Sequence, residues 1–468
     1  MRDNKYDNSR PLDVHKWSDY SEVNAAINAL ADEIIPALPL KKVDKNKYKK
    51  HLKVIVLDLL SAHLSNPSLY IGYSRSTASY SGSSRYKQLH INYRPLIKVI
   101  DALIELDYID HKKGFHDSRT GIGKQSRMKA NPKLIALLRD KHKVSSKMIA
   151  RSEDEEVIIL RDKDKNNIEY EDTPDTDAIR QKLRLINQAI DKAHINLHVT
   201  DEDQNTINER LSKEKGKQPI DFTRKKLSRV FNNGSFEQGG RFYRGWWQQV
   251  PKEYRKHIEI NHKNTVEVDY SGMHIRMLYA EKGLDMPTDD PYELSGYPES
   301  TRGLLKKALN TIINANSRDS ALRSLRKEIP KETLPDGVTL NNLVDAFTSK
   351  HAAISDSFYS GKGVNLQYID SQVAEEVMLH FAKRGIAVLP MHDSFIVRNS
   401  YEGELREVMD SGYIKIVGTK PEMKMKKTAL EEDDERRKIN NTQDSVVDAY
   451  DIFEDMKKYN QYYEREDK

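Results

Sequence analysis

The sequence predicts an α+β fold built from two or three units. Three observations carry that expectation. The chain has 468 residues, more than one hydrophobic core usually holds. Its N-terminal third passes from helical periodicity to short strands around a basic loop. The stretch 221–413 holds alternating strand patterns that run directly into helices.

Residues 46–64, "NKYKKHLKVIVLDLLSAHL", read as an amphipathic helix. Lys41, Lys42, Lys45, Lys47, Lys49, Lys50 and Lys53 crowd this stretch. A second helix spans 93–107, "YRPLIKVIDALIELD", in which Leu96, Ile97, Val99, Ile100, Leu103 and Ile104 recur at helical spacing and Pro95 suits the first turn. "YIDHKKGF" then reads as a strand, "HDSRTGIGKQ" as a Gly-rich basic loop and "SRMKA" as a further strand. The "GIGK" is no phosphate-binding loop, because no glycine stands five positions before Gly123.

Residues 151–178 are strongly charged; "EVIILRDKDKNNIEY" reads as a hairpin and "EDTPDTDA" as a linker and helix start with Asp175 or Asp177 as N-cap. The helix "AIRQKLRLINQAIDKAHINLH" runs to about His198. His194 and His198 fall i, i+4 on it; with no third ligand nearby they read as surface or packing residues rather than a metal pair. Residues 201–220 read as a polar loop. Pattern returns from Asp221 to about Tyr413, and the remainder, with "EEDDERRK" after Leu430, reads as a charged helical or disordered extension. These shifts divide the chain into 1–150, 151–220, 221–413 and 414–468.

No run of about 18 apolar residues occurs, so no membrane span is expected. The N-terminus, "MRDNKYDNSRPLDVHKW", lacks the apolar core of a signal peptide. Cysteine is absent, which excludes disulfides, thiolate zinc sites and a cysteine nucleophile, and suits the reducing cytoplasm. A net charge of +5 leaves the partner open, although the basic clusters suit a polyanion.

The chemistry concentrates in two places. In "TVEVDYSGMHIRMLYAEKG", Val266 and Val268 alternate with Glu267 and Asp269; the strand ends at Asp269, Gly272 allows a turn, and a helix follows. In "LPMHDSFIV" (389–397), a polar step puts Asp393 at the tip of an apolar hairpin. Two carboxylates on adjacent strands suit a pair of Mg²⁺ ions, or Mn²⁺ in their place, with the backbone beside Tyr270 as a further ligand. Between them, "PESTRGLLKKALNTIINANS" reads as a helix capped near Ser300. Arg302, Lys306 and Asn310 share one face, Asn314 follows a turn later, and Leu305, Leu309, Ile312 and Ile313 form the apolar face. Two cations on a polar stripe suit a triphosphate.

In this order the pieces resemble the right-hand polymerases of the DNA polymerase I type (family A) and the single-subunit phage-type RNA polymerases. "VDYSGMHIR" is similar to their motif A, "RGLLK" to the Arg-x3-Lys of motif B, and "MHDSF" to motif C, closest to the phage-type enzymes. "GGRFYRGWWQQVPKEYR", "DDPYEL" and "NLQYIDSQVAEEVM" resemble the blocks that precede motif A, separate A from B and precede C. The resemblance covers about 221–413, in collinear order, and implies a palm with reduced fingers and thumb. The helix, strand, basic loop and strand of 93–130 resemble a winged helix-turn-helix.

The resemblance implies roles. Asp269 and Asp393 hold the metal ions and Tyr270 adds its backbone. Arg302 and Lys306 contact the incoming nucleoside triphosphate, with His274, Asn310 and Asn314 beside it. Arg241, Gln367 and His392 position primer and template. Lys49, Lys50, Lys53, Arg94, Lys112, Lys113, Arg119 and Lys124 are candidate phosphate contacts on DNA, or on RNA. Trp246 and Trp247, with Tyr243, stack bases or fill the core. The chain departs from the family at His274, where motif A carries an acid, at Ser394, the place of motif C's second acid, and at Asn310, Asn314 and Ala315, where motif B has aromatics and Tyr-Gly. Sugar selectivity therefore does not follow from the family. The leading expectation is a DNA polymerase, as in a replication protein of a mobile element. RNA polymerase or primase activity, a two-metal nuclease and a non-catalytic DNA-binding initiator are the alternatives.

Overall fold

The computed structural model describes residues 8–38, 44–81, 84–87, 91–117, 119–214, 216–287, 290–330, 333–335 and 337–426. Lys41, Lys42 and the acidic stretch after Leu430 lie outside the described residues. No described helix is long and apolar enough to cross a membrane.

The first part of this mixed helix-and-sheet fold contains β1 (Ser9–Pro11), β2 (Lys16–Trp17), α1 (Ser21–Ala37), α2 (Lys45–Ser65), β3 (Tyr70–Tyr73), α3 (Tyr93–Glu105), β4 (Ile109–Lys112), the hairpin β5 (Phe115–Asp117) and β6 (Ile122–Lys124), β7 (Ser126–Ala130), α4 (Pro132–Ile135) and β8 (Ala150–Arg151). Strands β1-β3-β7-β4 form one sheet. Helix α2 is not amphipathic: every residue from His51 to Ala62 is buried, because α1, α3 and the sheet enclose it. Lys53 is consequently no surface cation. Its Nζ donates to the Ser18 carbonyl at 2.7 Å and to Asn24 Oδ1 at 2.8 Å, and lies 4.4 Å over the Trp17 ring. Helix α3 buries Leu96, Ile97, Val99, Ile100 and Leu103.

The second part contains β9 (Ile158–Leu160), α5 (Pro174–Lys192), β10 (Ile195–Leu197), α6 (Asp201–Lys213), β11 (Ser228–Asn232), β12 (Ser235–Tyr243), β13 (Ile258–Ile260), β14 (Lys263–Tyr270), α7 (Met273–Glu281), α8 (Arg302–Asn314), α9 (Arg318–Glu328), α10 (Leu340–Lys350), α11 (Gly363–Ala382), β15 (Leu389–Pro390), β16 (Ser394–Arg398), α12 (Glu402–Val417) and β17 (Met423–Lys426). One sheet has the order β12-β11-β9. The other runs β10-β13-β14-β16-β15, with β17 on the end of β14.

Several local expectations change here. The N-cap of α5 is Thr173, which shares a capping box with Thr176; Pro174 occupies the first turn, and Asp175 and Asp177 lie inside the helix where acids favour its N-terminal dipole. The helix stops at Lys192, because Ile195–Leu197 pairs with β13 instead. His194 and His198 therefore flank a strand: His194 stacks on His262 with ring centroids 4.5 Å apart, and His198 Nδ1 lies 3.0 Å from Glu259. Residues 201–213 are helical rather than loop, since Thr200 caps the Asp203 amide and Ile207 and Leu211 are buried one turn apart. The expected 156–170 hairpin has a single bridge, Arg161 to Asn167; β9 pairs in parallel with β11. Helix α12 runs through position 413, and β17 beyond it joins the sheet that carries Asp269.

Two hydrophobic cores form, one from residues between Val23 and Ile149, the other from residues between Val157 and Tyr413. A polar seam joins them. The fully buried Lys16 donates to Asp221 at 2.7 Å, to Ser61 at 3.1 Å and to Thr223. Arg10 grips Asp58 with two nitrogens, at 2.6 and 2.8 Å. Arg151 bridges Asp13 and Glu155, and Arg244 reaches Glu155 at 2.7 Å. A second contact lies at residues 84–87, where Arg85 stacks 3.6 Å over Tyr170 and the Tyr86 hydroxyl donates to the Ile168 carbonyl at 2.9 Å. Buried charge pairs demand their geometry, so such a seam fixes orientation more than it adds stability.

Burial alone would raise the Asp221 carboxyl, but the Lys16 ammonium and Arg10 guanidinium outweigh it and hold the carboxyl well below its usual range. Glu155 is likewise lowered, Arg151 overcoming its burial. A depressed carboxyl contributes stability that is complete above its unfolded value of roughly 4 and lost as pH falls through the folded value. Thermal midpoints should thus fall with pH below about 4. Asp221→Ala should cost about 3 kcal/mol or more by leaving Lys16 buried without its acid, whereas Lys16→Met combined with Asp221→Leu should cost less. Denaturant unfolding checks both.

Candidate active site

Strand β14 alternates strictly. Val266, Val268 and Tyr270 face the core, while Thr265, Glu267 and Asp269 take the other side. Its antiparallel partner β16 pairs Val268 with Phe395 and Asp269 with Ser394. The Tyr270 amide then donates to the Asp393 carbonyl at 3.0 Å. Met391 N–H donates to the Ser394 carbonyl at 2.7 Å and closes the β15–β16 turn. His392 in that turn has φ 72°, a left-handed conformation uncommon for a residue with a Cβ. Asp269, at the end of β14, and Asp393, in the turn just before β16, are thus neighbours across the strand pair, and both are half-buried. The Tyr270 side chain does not: its phenol donates to the Met409 carbonyl at 2.6 Å inside the core, so only its backbone borders the acids.

The turn is held from outside. Gln248 Nε2 donates to the Pro390 carbonyl at 3.1 Å and to the Phe242 carbonyl at 2.9 Å, and Trp247 Nε1 donates to the same Pro390 carbonyl at 3.1 Å. Trp246 and Trp247 are fully buried, so core filling is their role. Gln248 could be found in sequence only as part of the "QQVP" block.

Tyr292 links the acids to the cationic helix, and residue-by-residue reading passed it over inside "DDPYEL". It is 5 % exposed. Arg302 Cζ and Lys306 Nζ lie 5.4 and 5.8 Å from its ring centroid. Burial, then the negative charge of Asp393 with smaller shares from Asp290 and Asp269, pushes its phenol up to about 12. Arg302 pairs with Asp290 at 2.5 Å, and His351 Nε2 meets the Pro291 carbonyl at 2.9 Å. Arg302 opens α8 directly after a 3-10 turn, with no side-chain cap at Ser300.

Arg241, expected at primer or template, is committed within the protein. Asp370 on α11 accepts from its Nε at 2.9 Å and from its Nη2, and His274 Nε2 lies 2.9 Å from the same carboxylate. Burial works against the Arg241 charge, and Asp370 more than compensates, so its value rises. Gln367 is half-buried one turn before Asp370. Below this cluster the buried Arg229 donates to Glu375, to Ser371 at 3.1 Å and to the Gly240 carbonyl at 2.8 Å. Gly240 has φ +76°, and a Cβ there would fall 2.7 Å from Ser371 Oγ, so β12 and α11 approach this closely only with glycine. His392 packs edge-on to Tyr243 at 5.3 Å, and its Nδ1 is buried without a hydrogen bond among the described residues. Burial, then Arg241, lowers the imidazole below its ordinary value.

Asn310 and Asn314 part from Arg302 and Lys306. They line a cavity of about 470 Å³ with Lys307, Asn316, Ser320 and Ser324. Asn314 fits there because α11 begins with Gly363, where a Cβ would fall 1.8 Å from Asn314 Oδ1. In the N-terminal part, Lys49 donates to Asn28 at 2.8 Å and Lys50 is exposed at the start of α2. Lys112 Nζ lies 4.4 Å over the Tyr70 ring; Lys113 and Arg119 are exposed, and Lys124 is half-buried on the β5–β6 hairpin. Arg94 is exposed in the first turn of α3.

Among the described residues no group of three or more His, Asp or Glu gathers to hold a metal ion by itself. Two half-exposed carboxylates fit Mg²⁺ nonetheless, since it takes one or two protein carboxylates and fills its octahedron with water and phosphate oxygens. No family model and no curated protein matches the chain. Among solved structures it is similar to the POL domain of Pol1 from M. smegmatis, in complex with DNA primer-template and dNTP, at 10% identity and a TM-score of 0.30. That match covers 88% of this chain and 66% of that one, just under two thirds of its length, and at this score it carries no argument.

Gly272, between β14 and α7, has φ +63°, and a Cβ there would meet Ile275 Cγ2 at 3.3 Å and the Tyr292 hydroxyl at 3.9 Å. Gly272→Ala should destabilise the fold by about 1–2 kcal/mol, the cost of a left-handed residue with a Cβ. A denaturant midpoint shift at unchanged slope checks it.

Proposed function

We propose that the chain is a template-directed nucleic-acid polymerase, with DNA synthesis ahead of RNA synthesis, carrying a winged-helix DNA-binding module at its N-terminus. One observation carries the reading. The β14–β16 register sets Asp269 against the Asp393 turn, with Arg302 and Lys306 reaching the same place across Tyr292.

In this reading Asp269 and Asp393 hold the divalent cations, with the Tyr270 backbone beside them. Bound there, Mg²⁺ would stabilise charge on the attacking and leaving oxygens of an in-line displacement. Arg302 leaves Asp290 to clamp the triphosphate, and Lys306 adds a point charge. The primer 3′ oxygen attacks the α-phosphorus, the bond from that phosphorus to the bridging oxygen breaks, and pyrophosphate leaves. His392, whose imidazole burial and then Arg241 hold below its ordinary value, flanks the primer end. Arg241 acts indirectly: through Asp370 it fixes His274 at the first turn of α7. The protein supplies position and charge rather than covalent chemistry.

The module reading rests on α3, the strands β4 and β7, and the basic hairpin between them. Lys112, Lys113, Arg119 and Lys124 would meet phosphates. A DNA-binding module joined to a synthetic one suits a replication protein of a mobile element.

With labelled primer, template, dNTPs and Mg²⁺, the wild type should lengthen the strand. Asp269→Asn and Asp393→Asn should each lower the rate at least about a hundredfold, the upper end of what losing metal-supporting groups costs. Wild-type rates in both variants would sink the reading. Shortening of the strand would indicate a nuclease, and tight binding without incorporation an initiator. Removing Lys112 and Lys124 together should lower the slope of log affinity against log salt by about 2.

A further inference from the structure

We infer that Glu267 is a positioning residue for the carboxylate pair and acts through Ser394. The inference rests on the polymerase reading and deepens it. Glu267 lies two residues before Asp269 on the same face of β14, between the apolar Val266 and Val268 of the opposite face. It is 7 % exposed. Its Oε1 accepts from Ser394 Oγ at 2.6 Å and lies 3.4 Å from Arg255 Nη1. Ser394 is buried, pairs directly with Asp269 and immediately follows Asp393.

A carboxylate is costly to bury, and an apolar side chain would complete the strand at lower cost. This one is placed where it orients the residue between both acids. Ser394 cannot rotate without breaking the 2.6 Å bond, and the turn that presents Asp393 begins at its backbone. The negative charge of Glu267 also adds to the local field that attracts a divalent cation. An acid at position 394 would supply charge from β16; here a hydroxyl stands on β16 and the acid comes from β14. The geometry points to an exchange of the two groups across one strand pair. One carboxylate and one hydroxyl, hydrogen-bonded to each other, should therefore serve in either order.

The test uses the full chain. Mn²⁺ affinity is read by electron paramagnetic resonance without nucleotide, alongside kcat and KM for dNTP and the melting temperature. Glu267→Gln should melt near the wild type, bind Mn²⁺ about tenfold or more weakly, as loss of a supporting carboxylate does, and lose kcat with little change in KM. Ser394→Glu alone sets two acids against each other and should also lose kcat. The double variant Glu267→Ser with Ser394→Glu should recover Mn²⁺ affinity and kcat beyond either single change. Wild-type Mn²⁺ affinity in Glu267→Gln, or a double variant no better than its weaker parent, would overturn the inference. If Glu267→Gln fails to fold, the double variant decides. Asp393→Asn separates the levels. If it loses Mn²⁺ while Glu267→Gln does not, only the role of Glu267 falls; if it keeps Mn²⁺, the polymerase reading falls with it.

Discussion

Asp269 and Asp393 are far apart in the chain, and the hydrogen-bond register of β14 on β16 decides whether they meet. That register is locked from the core side. Val266, Val268, Tyr270, Phe395 and Val397 are all buried, so a one-residue slip would turn Asp269 inward and expose valines. Strand β17 pins the same end of β14 from its other edge, pairing Asp269 with Lys424. Gln248 and Trp247 then hold the β15–β16 turn by the Pro390 carbonyl. The charged end of the site is the exposed consequence of apolar packing beneath it.

Around that pair, buried polar groups fix angles that apolar contacts leave loose. Asp370 joins β12 to α7 through Arg241 and His274, and Glu375 joins β11 and α5 to α11 through Arg229 and Lys182. The same device recurs where the two cores meet, at Lys16, Asp221 and Arg151. If the N-terminal part binds DNA as proposed, this seam would hold the bound strand at a set distance from the acids.

Elements set by local pattern were legible in the sequence. Helix α3, the Val266–Asp269 alternation and the Leu389–Val397 hairpin emerge where their periodicity predicts them. Elements set by a distant partner were not. Strand β10 replaces the end of a helix because β13 is there to pair with it, and α6 forms in a polar stretch because Thr200 caps it and two apolar residues find the core. Lys53 reads as a phosphate contact and Arg241 as a primer or template contact, since a lysine or arginine code carries no sign of the carbonyl or carboxylate that holds it inside the protein. Strand alternation already sets Glu267 on the side of Asp269, but its bond to Ser394, like the place of Tyr292, comes only from neighbours brought in by the sheet and by α8. Asn310 and Asn314 share a helix with Arg302 and Lys306 but face a different cavity, because the α8 stripe turns toward α9 along its length.

The central claim is that the two strand ends form one cation site. Crystals of the full chain with primer-template and a non-hydrolysable dNTP, soaked in Mn²⁺ and measured by anomalous scattering, test it most directly. The account predicts manganese peaks coordinated by both Asp269 and Asp393, with phosphate oxygens completing the shell. Manganese bound only elsewhere, with these two carboxylates contacting neither metal nor nucleotide, would contradict it.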